Sequence, residues 1–493
     1  MFRLRPLHSW CFLFGFLGCV LIAACGPLVE VRLTQEATAS AGVAKTAPAL
    51  AAIAATSQAT APTATSVPSP IGTSPVAEVT PSVVGPRYIT ERVSVATGGV
   101  ETEGGAGEPQ LSHDGRYVTF TSPFSNFVPN DTNNDSDVFV HDRLTGVTER
   151  VSVASDGSQS RLASWGGAIS ADGRYVAFTS LSNLTESARD LDGSNIYVRD
   201  RQTGKTNLIS VAPDGTPGNG DSFRPGISAD GQWLVFTSVA TDLVEGDTNN
   251  IADVFVRDIR GQTTRRVSVA SDGTQGDFGG SGNVISADGR FVAFTSISIN
   301  LVVDDTNFAG DVFVHDLVTG QTSRASAQLD GIYSNDSPSI SADGRYVAFV
   351  RHYGGPGPNL TEDAINVFVV DRTTGLESQV SVNSAGESGN LWSLEPAISG
   401  DGRYVAFTSR ANNLILNDNN DHDVFVHDRE TGETRIVSVN NNGTQGQGYL
   451  FGIGISADGH AVAFASDASN IVANDTNESS DVFVNFLSLK PAP

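Results

Sequence analysis

From residue 89 onward one polar–apolar pattern keeps returning. Its clearest copy is ISADGRYVAFTS at residues 169–180: a short lead-in, an Asp-Gly pair, then a nearly unbroken apolar run closed by Thr-Ser. The Asp-Gly pair recurs at Asp114, Asp172, Asp230, Asp288, Asp343, Asp401 and Asp458, with spacings of 58, 58, 58, 55, 58 and 57 residues. Self-similarity at a near-constant period marks a repeat architecture.

Each period carries four strand signals in the same order. In the second copy residues 165–170 lead in as strand a, and Ala171-Asp172-Gly173 is a tight turn, since Asp-Gly accepts positive φ. Residues 174–180 form strand b, a longer connection reaches strand c at 195–200, and the turn at 201–204 leads to strand d at 207–211. Strands b and c have continuous apolar cores such as YVAF and VFV, the pattern of a sheet covered on both faces. Sheets stacked side by side in a ring supply that cover.

The two ends break the repeat in complementary ways. A lone strand d, ITERVSV at 89–95, precedes the first Asp-Gly, and the last copy stops after strand c, Asp481-Val482-Phe483-Val484. The expected fold is an all-β, seven-bladed β-propeller of four-stranded antiparallel blades, with the N-terminal strand closing the last blade and leaving no half-built edge. An open solenoid would instead carry polar capping repeats.

Composition adds an address. Residues 1–10 carry Arg3 and Arg5, and residues 11–24 are a short apolar run ending in small residues, the n- and h-regions of an export signal. That run is too short for a comfortable membrane span. Leu21-Ile22-Ala23-Ala24-Cys25 resembles the bacterial lipoprotein box, which implies lipidation of Cys25; the rival reading is ordinary signal cleavage with Cys25 incidental. The three cysteines are Cys11, Cys19 and Cys25, so none remains for a disulfide or a Cys-based zinc site in the repeats. Residues 26–86 are rich in Ala, Thr, Ser and Pro and read as a spacer that cannot bury enough apolar surface to fold. The expected organisation is a signal peptide at 1–24, lipidated Cys25 plus a disordered linker over 25–86, the propeller at 87–489 and a tail at 490–493. It places a monomeric head outside a bacterial membrane, at the cell envelope, touching the membrane only through its lipid.

Formal net charge is −25, and removal of residues 1–24 would leave −27. So acidic a surface argues against nucleic acid as a partner and favours cations or basic partners, while also serving plain solubility.

The pattern ADGRYVAFTS … DVFVHDRxTG … RVSV resembles the bacterial TolB-type, WD-like propeller repeat. The resemblance implies a propeller used for protein interaction or as a scaffold, with some members carrying enzymatic sites. The chain departs from the periplasmic founding member in having no separate N-terminal α/β domain, so that protein's partners are not carried over.

Antiparallel order puts the a–b and c–d turns on one face and the long b–c and d–a connections on the other, where function is expected. The b–c loops carry acidic segments: Asp131, Asn133, Asp135 and Asp137; Asp247, Asn249 and Asp253; Asp305, Asn307 and Asp311; residues 417–423; and Asp475, Asn477 and Asp481. Oxygen side chains at alternate positions suit a hard cation such as calcium. The same Asp and Asn residues equally suit side-chain turns at the strand entry. The d–a loops supply large aromatics, Trp165, Phe223, Phe278, Tyr333, Trp392, Tyr449 and Phe451, placed to gather around the channel mouth. There they either bind a carbohydrate or apolar ligand, with Trp165, Phe223, Trp392 and Phe451 the leading candidates, or simply pack. The fifth copy ends strand b in Arg351-His352 instead of Thr-Ser, and with His422 of the sixth copy offers an anion clamp and a general base; drift in one loop is the rival reading. No nucleophile elbow, phosphate loop or zinc-helix motif occurs. The functional expectation is a non-catalytic binding or protein-interaction module for a protein or carbohydrate, with calcium in the b–c loops left open beside the side-chain-turn reading. The alternatives are an extracellular polysaccharide lyase or hydrolase at the mouth and a purely structural envelope protein.

Overall fold

In the computed structural model, each repeat folds as a four-stranded antiparallel sheet in the order a-b-c-d. The structure describes residues 89–185, 193–326, 334–352 and 365–487. Cys25, the signal and linker expectations, and Tyr333 lie outside them. Blades are numbered 1 to 7 by their Asp-Gly pairs. In blade 2 the strands are Ser164–Ile169, Tyr175–Ser180, Asn195–Asp200 and Lys205–Leu208. Strand d stops short of the expected 207–211 because side chains take over from the ladder: Ser210 Oγ donates to Asn195 Oδ1 at 2.8 Å and accepts the Ile196 N–H at 3.1 Å.

Strands b and c are buried on both faces, as their continuous apolar runs require. One face stacks aromatic rings within a blade, with Phe178 5.9 Å from Tyr197 and Phe236 5.9 Å from Phe255. The other packs on the neighbour, so Ala177, Ile196 and Val198 of blade 2 share a core cluster with Leu234, Phe236 and Phe255 of blade 3.

The a–b turn shows why Asp-Gly is repeated. Ser170 Oγ donates to Asp172 Oδ1 at 2.7 Å, and the same oxygen accepts the Arg174 N–H at 3.0 Å. Gly173 has φ +73°, and a Cβ there would lie 2.1 Å from the Tyr117 ring of blade 1. Only glycine satisfies both conditions. Each a–b turn is also tied to the next by a backbone hydrogen bond. His113 donates to Ala171, Ala171 to Ala229, Ala229 to Ala287, Asp288 to Ala342, Ala342 to Gly400, Gly400 to Ala457 and Asp458 back to His113, at 2.8–3.3 Å. The seven bonds form a closed circle.

The ends join as the sequence predicts. Strand Ile89–Arg92 pairs antiparallel with Asp481–Phe486, from Ile89 opposite Phe486 to Arg92 opposite Phe483. Val93 N–H extends the pairing to Val482 C=O at 2.8 Å. The fold is therefore a seven-bladed, all-β propeller whose last blade takes its outer strand from the front of the chain.

Candidate functional site

The acidic segments are shaped by their asparagines. Asn133 Oδ1 accepts the N–H of Asp135, Asn249 that of Ile251, Asn307 that of Ala309 and Asn477 that of Ser479, so each forms a side-chain turn. The flanking carboxylates then converge on a guanidinium from strand d. Arg150 Nη1 lies 2.8 Å from Asp131 and 3.4 Å from Asp137. Arg266 Nη1 is 3.3 Å from Asp247 and 3.8 Å from Asp253, and Arg324 Nη1 is 3.4 Å from Asp305 and 3.2 Å from Asp311. Arg92 Nη1 reaches Glu101, Asp475 and Asp481 at 2.7, 3.3 and 3.1 Å. Those three carboxylates have the spacing of a metal site, their oxygens lying within 4.8 Å of one another, and an arginine nitrogen stands among them. Asp135 sits apart, accepting the Ser136 N–H. A metal ion would enter these four segments only by displacing an arginine.

These ion clusters are dry. The arginine side chains are at most 10% exposed, and their aspartate partners at most 3%. Burial outweighs the nearby guanidinium and pushes the Asp137 and Asp475 carboxyls up to about 6. Glu101, at the rim, moves the other way to about 2, held chiefly by the Thr476 N–H and hydroxyl and then by Arg92.

The expected catalytic groups lie in separate places. Arg351 is 2% exposed and lies over the Phe368 ring at 4.5 Å, with Nη atoms 2.5 and 2.8 Å from Glu377 and Nε 3.0 Å from Asn335. It braces the interior of blade 5. His352 Nε2 is 3.0 Å from Asp336 Oδ2, and both side chains are about one-third exposed. His422 is buried, and burial, helped by Arg410, lowers it to about 4, so its imidazole is neutral at pH 7. Among the described residues no hydrogen bond, ion pair or ring contact joins His422 to Arg351 or His352.

His422 belongs instead to the mouth aromatics. Trp392 packs edge-on against it at 4.7 Å, Tyr449 lies 5.4 Å from it, and Phe451 follows at 6.3 Å from Tyr449. Arg410 sits 5.7 Å from the Trp392 ring. The four rings come from the loops before strand a of blades 6 and 7, the b–c loop of blade 6 and the first turn of strand a in blade 7. They form a ledge in which His422 is buried and Tyr449 is 37% exposed. Trp165 and Phe223 hold, in blades 2 and 3, the strand-a position that Phe451 holds in blade 7, pairing with Thr179 and Thr237 as it pairs with Ala465. Phe278 is half exposed on its own loop.

A second set of residues was not anticipated. Every innermost strand breaks register at a β-bulge, and the bulged residue has positive φ: Glu108, Gly166, Arg224, Gly282, Ser337, Glu395 and Gly452. The four side chains among them are exposed along the channel. Glu108 Oε2 accepts the Gly166 N–H at 3.1 Å, and Glu395 Oε2 the Gly452 N–H at 3.0 Å, so each reaches the matching bulge of the next blade. The Glu395 carboxyl meets channel water yet is ringed by the inner strands, and that burial raises it. Proline follows each of the four non-glycine residues, at 109, 225, 338 and 396. Proline inside a strand marks an edge strand, and that signal could have located the channel wall.

Ring closure, dry arginine clusters and an aromatic ledge define a seven-bladed β-propeller with a differentiated loop face. No family model matches the sequence, and no curated protein matches it significantly. Among solved structures the chain is similar to TolB from Acinetobacter baumannii, at 17% identity over 67% of this chain and 62% of that one, with a TM-score of 0.37. The match thus spans less than two-thirds of that protein. The chain is also similar to an oligogalacturonate lyase in complex with manganese, at 13% identity over 82% of this chain and 98% of that one, with a TM-score of 0.50. A third likeness is to prolyl endopeptidases, at 12% identity over 78% of this chain and 50% of theirs, with a TM-score of 0.47. The seven-bladed propeller expected from the repeat is the fold this chain adopts, and at these identities the likeness to solved structures is one of fold.

Proposed function

We propose that this protein is a propeller tethered to the bacterial cell envelope through lipidated Cys25 and its linker, and that it works as a non-catalytic binding module for a protein or carbohydrate. The observation that supports this reading is the aromatic ledge of Trp392, His422, Tyr449 and Phe451, whose flat apolar faces suit sugar rings or apolar side chains. The test is tryptophan fluorescence of the full chain titrated with a panel of extracellular polysaccharides and with unstructured peptides. Saturable binding that weakens at least tenfold in Trp392→Ala and Tyr449→Ala, with unchanged circular dichroism, supports it. Binding that ignores both substitutions overturns the ledge as the site.

The partly exposed His352–Asp336 pair favours a second reading, a lyase or hydrolase acting on an extracellular polysaccharide. That reading expects depolymerisation of a charged polysaccharide, abolished by His352→Ala. Calcium at the acidic b–c segments is compatible with either reading, although in the four arginine-filled ones it competes with a guanidinium already in place.

A further inference from the structure

Six blades balance the charge at the entry to strand c in one of two ways. In blades 1, 3, 4 and 7 strand c opens on Asp137, Asp253, Asp311 or Asp481, and strand d supplies Arg150, Arg266, Arg324 or Arg92 at the fixed register opposite the strand-c phenylalanine. In blades 2 and 5 the residue two before the strand-c aromatic is neutral, Asn195 or Asn366, and the same place on strand d holds Leu208 or Gln379. An aspartate is therefore matched by an arginine, and an asparagine by none.

Blade 6 departs from this rule. Its strand c opens on Asp423, and Asp418 stands where blade 1 has Asp131, yet the residue opposite Phe425 is Ile436. Ile436 is 6% exposed and packed in the core between blades 5 and 6. Asp423 is 0% exposed, and its Oδ1 accepts the Ser438 hydroxyl at 2.6 Å. Its Oδ2 has no hydrogen-bond partner, and neither has Oδ2 of Asp418, although both atoms are buried. In blade 7 the matching Oδ2 of Asp481 receives Arg92 and Asn477, each at 3.1 Å. The blade 6 asparagine, Asn419, instead turns its Nδ2 to Asp421 at 3.2 Å and Gly446 C=O at 2.8 Å. A buried carboxylate oxygen aimed at nothing, beside a second one, is costly unless a cation or a proton offsets it.

We infer that Asp418 and Asp423 of blade 6 bind one hard divalent cation, calcium by preference, in the position where the sister blades place a guanidinium. All the donors are oxygens, the set that calcium, magnesium and manganese favour over softer metals. Burial of Asp423 bars a partner's lysine or arginine, which leaves a small bare ion as the cation able to reach it. The site lies beside His422, so a bound cation also holds the loop that carries the buried member of the aromatic ledge. The inference stands whether or not that ledge binds a ligand.

The test is thermal unfolding and calorimetric titration of the full chain at pH 7.5, first in EDTA and then with calcium, magnesium or manganese alone. One equivalent of calcium binds, and at a hundred times its dissociation constant it multiplies the folding constant about 100-fold, raising the midpoint. Ile436→Arg, which copies the sister blades, raises the midpoint in EDTA and removes the calcium response. Asp423→Asn, which copies blades 2 and 5, also removes the response, and it serves if the arginine variant does not fold. A protein indifferent to all three cations overturns the site in favour of a shared proton. A calcium response undiminished in both variants overturns it in favour of another location.

Discussion

The two faces of the ring use the same pair of residues to opposite effect. On the tight-turn face Arg116 grips Asp142 through Nε and Nη2 at 2.8 and 2.7 Å, and Arg174–Asp200, Arg290–Asp316, Arg345–Asp371 and Arg403–Asp428 repeat the grip. The guanidiniums there are 34–44% exposed and their aspartates 10–12%, so the arginine of each pair keeps much of its water, and the arginine hydrogen bonds hold the Asp142, Asp200, Asp316 and Asp371 carboxyls below the usual carboxylate range. On the loop face an arginine also sits beside aspartate, but both are dry, and burial drives the carboxyl up instead. Solvation, more than proximity, decides the sign. The first arrangement recurs in five blades with little change, Gln232 and His460 standing in the arginine's place in blades 3 and 7, and the second occurs in four.

The largest expected effect comes from breaking a dry cluster. Arg150→Ala strands Asp131 and Asp137 as buried, unneutralised charges and costs about 3–5 kcal/mol of unfolding free energy in urea titrations. Arg116→Ala, on the wet face, costs much less, and equal losses would refute the contrast. Next comes the turn: Gly173→Ala meets both the positive φ and the Tyr117 ring and destabilises by more than about 1 kcal/mol, read as a fall in the urea midpoint. The smallest effect is one of pH. His315 bonds Thr322 Oγ1 at 2.9 Å, and burial lowers it to about 4 from 6.5. The unfolded chain therefore binds the extra proton first, and the stability held above pH 6.5 is lost as pH falls toward about 4. His315→Asn, the residue that blade 7 carries there as Asn485, flattens that limb of the stability curve. Below about pH 4 the depressed wet-face aspartates add a steeper loss in both proteins.

Ring, blade count and end-to-end closure were legible because they follow from period and from two incomplete ends. The arginine partners were not, since Arg150 meets Asp131 only once strands c and d take the register that sets Phe139 against Arg150. Arg351 teaches a similar lesson. Other blades have serine at its place, such as Ser180 and Ser409, and threonine where blade 5 has Glu377, such as Thr148 and Thr322. Two departures from the repeat in one blade answer each other across its face, and comparing the seven copies column by column would have paired them. The channel bulges escaped because a backbone angle leaves little trace beyond the prolines that follow.

Closure through Ile89–Arg92 has a consequence for the order of events in time. Most of the ring can be assembled while the chain is still emerging from the ribosome, but the strand at residue 89 must wait for its partner at residue 486. Until then the first-made strand has no sheet to join, and the circle of seven turn-to-turn bonds lacks the link from Asp458 to His113. The final step of folding thus joins the first-made and the last-made strands of the ring, and an interrupted synthesis leaves an open edge available to another copy of the chain.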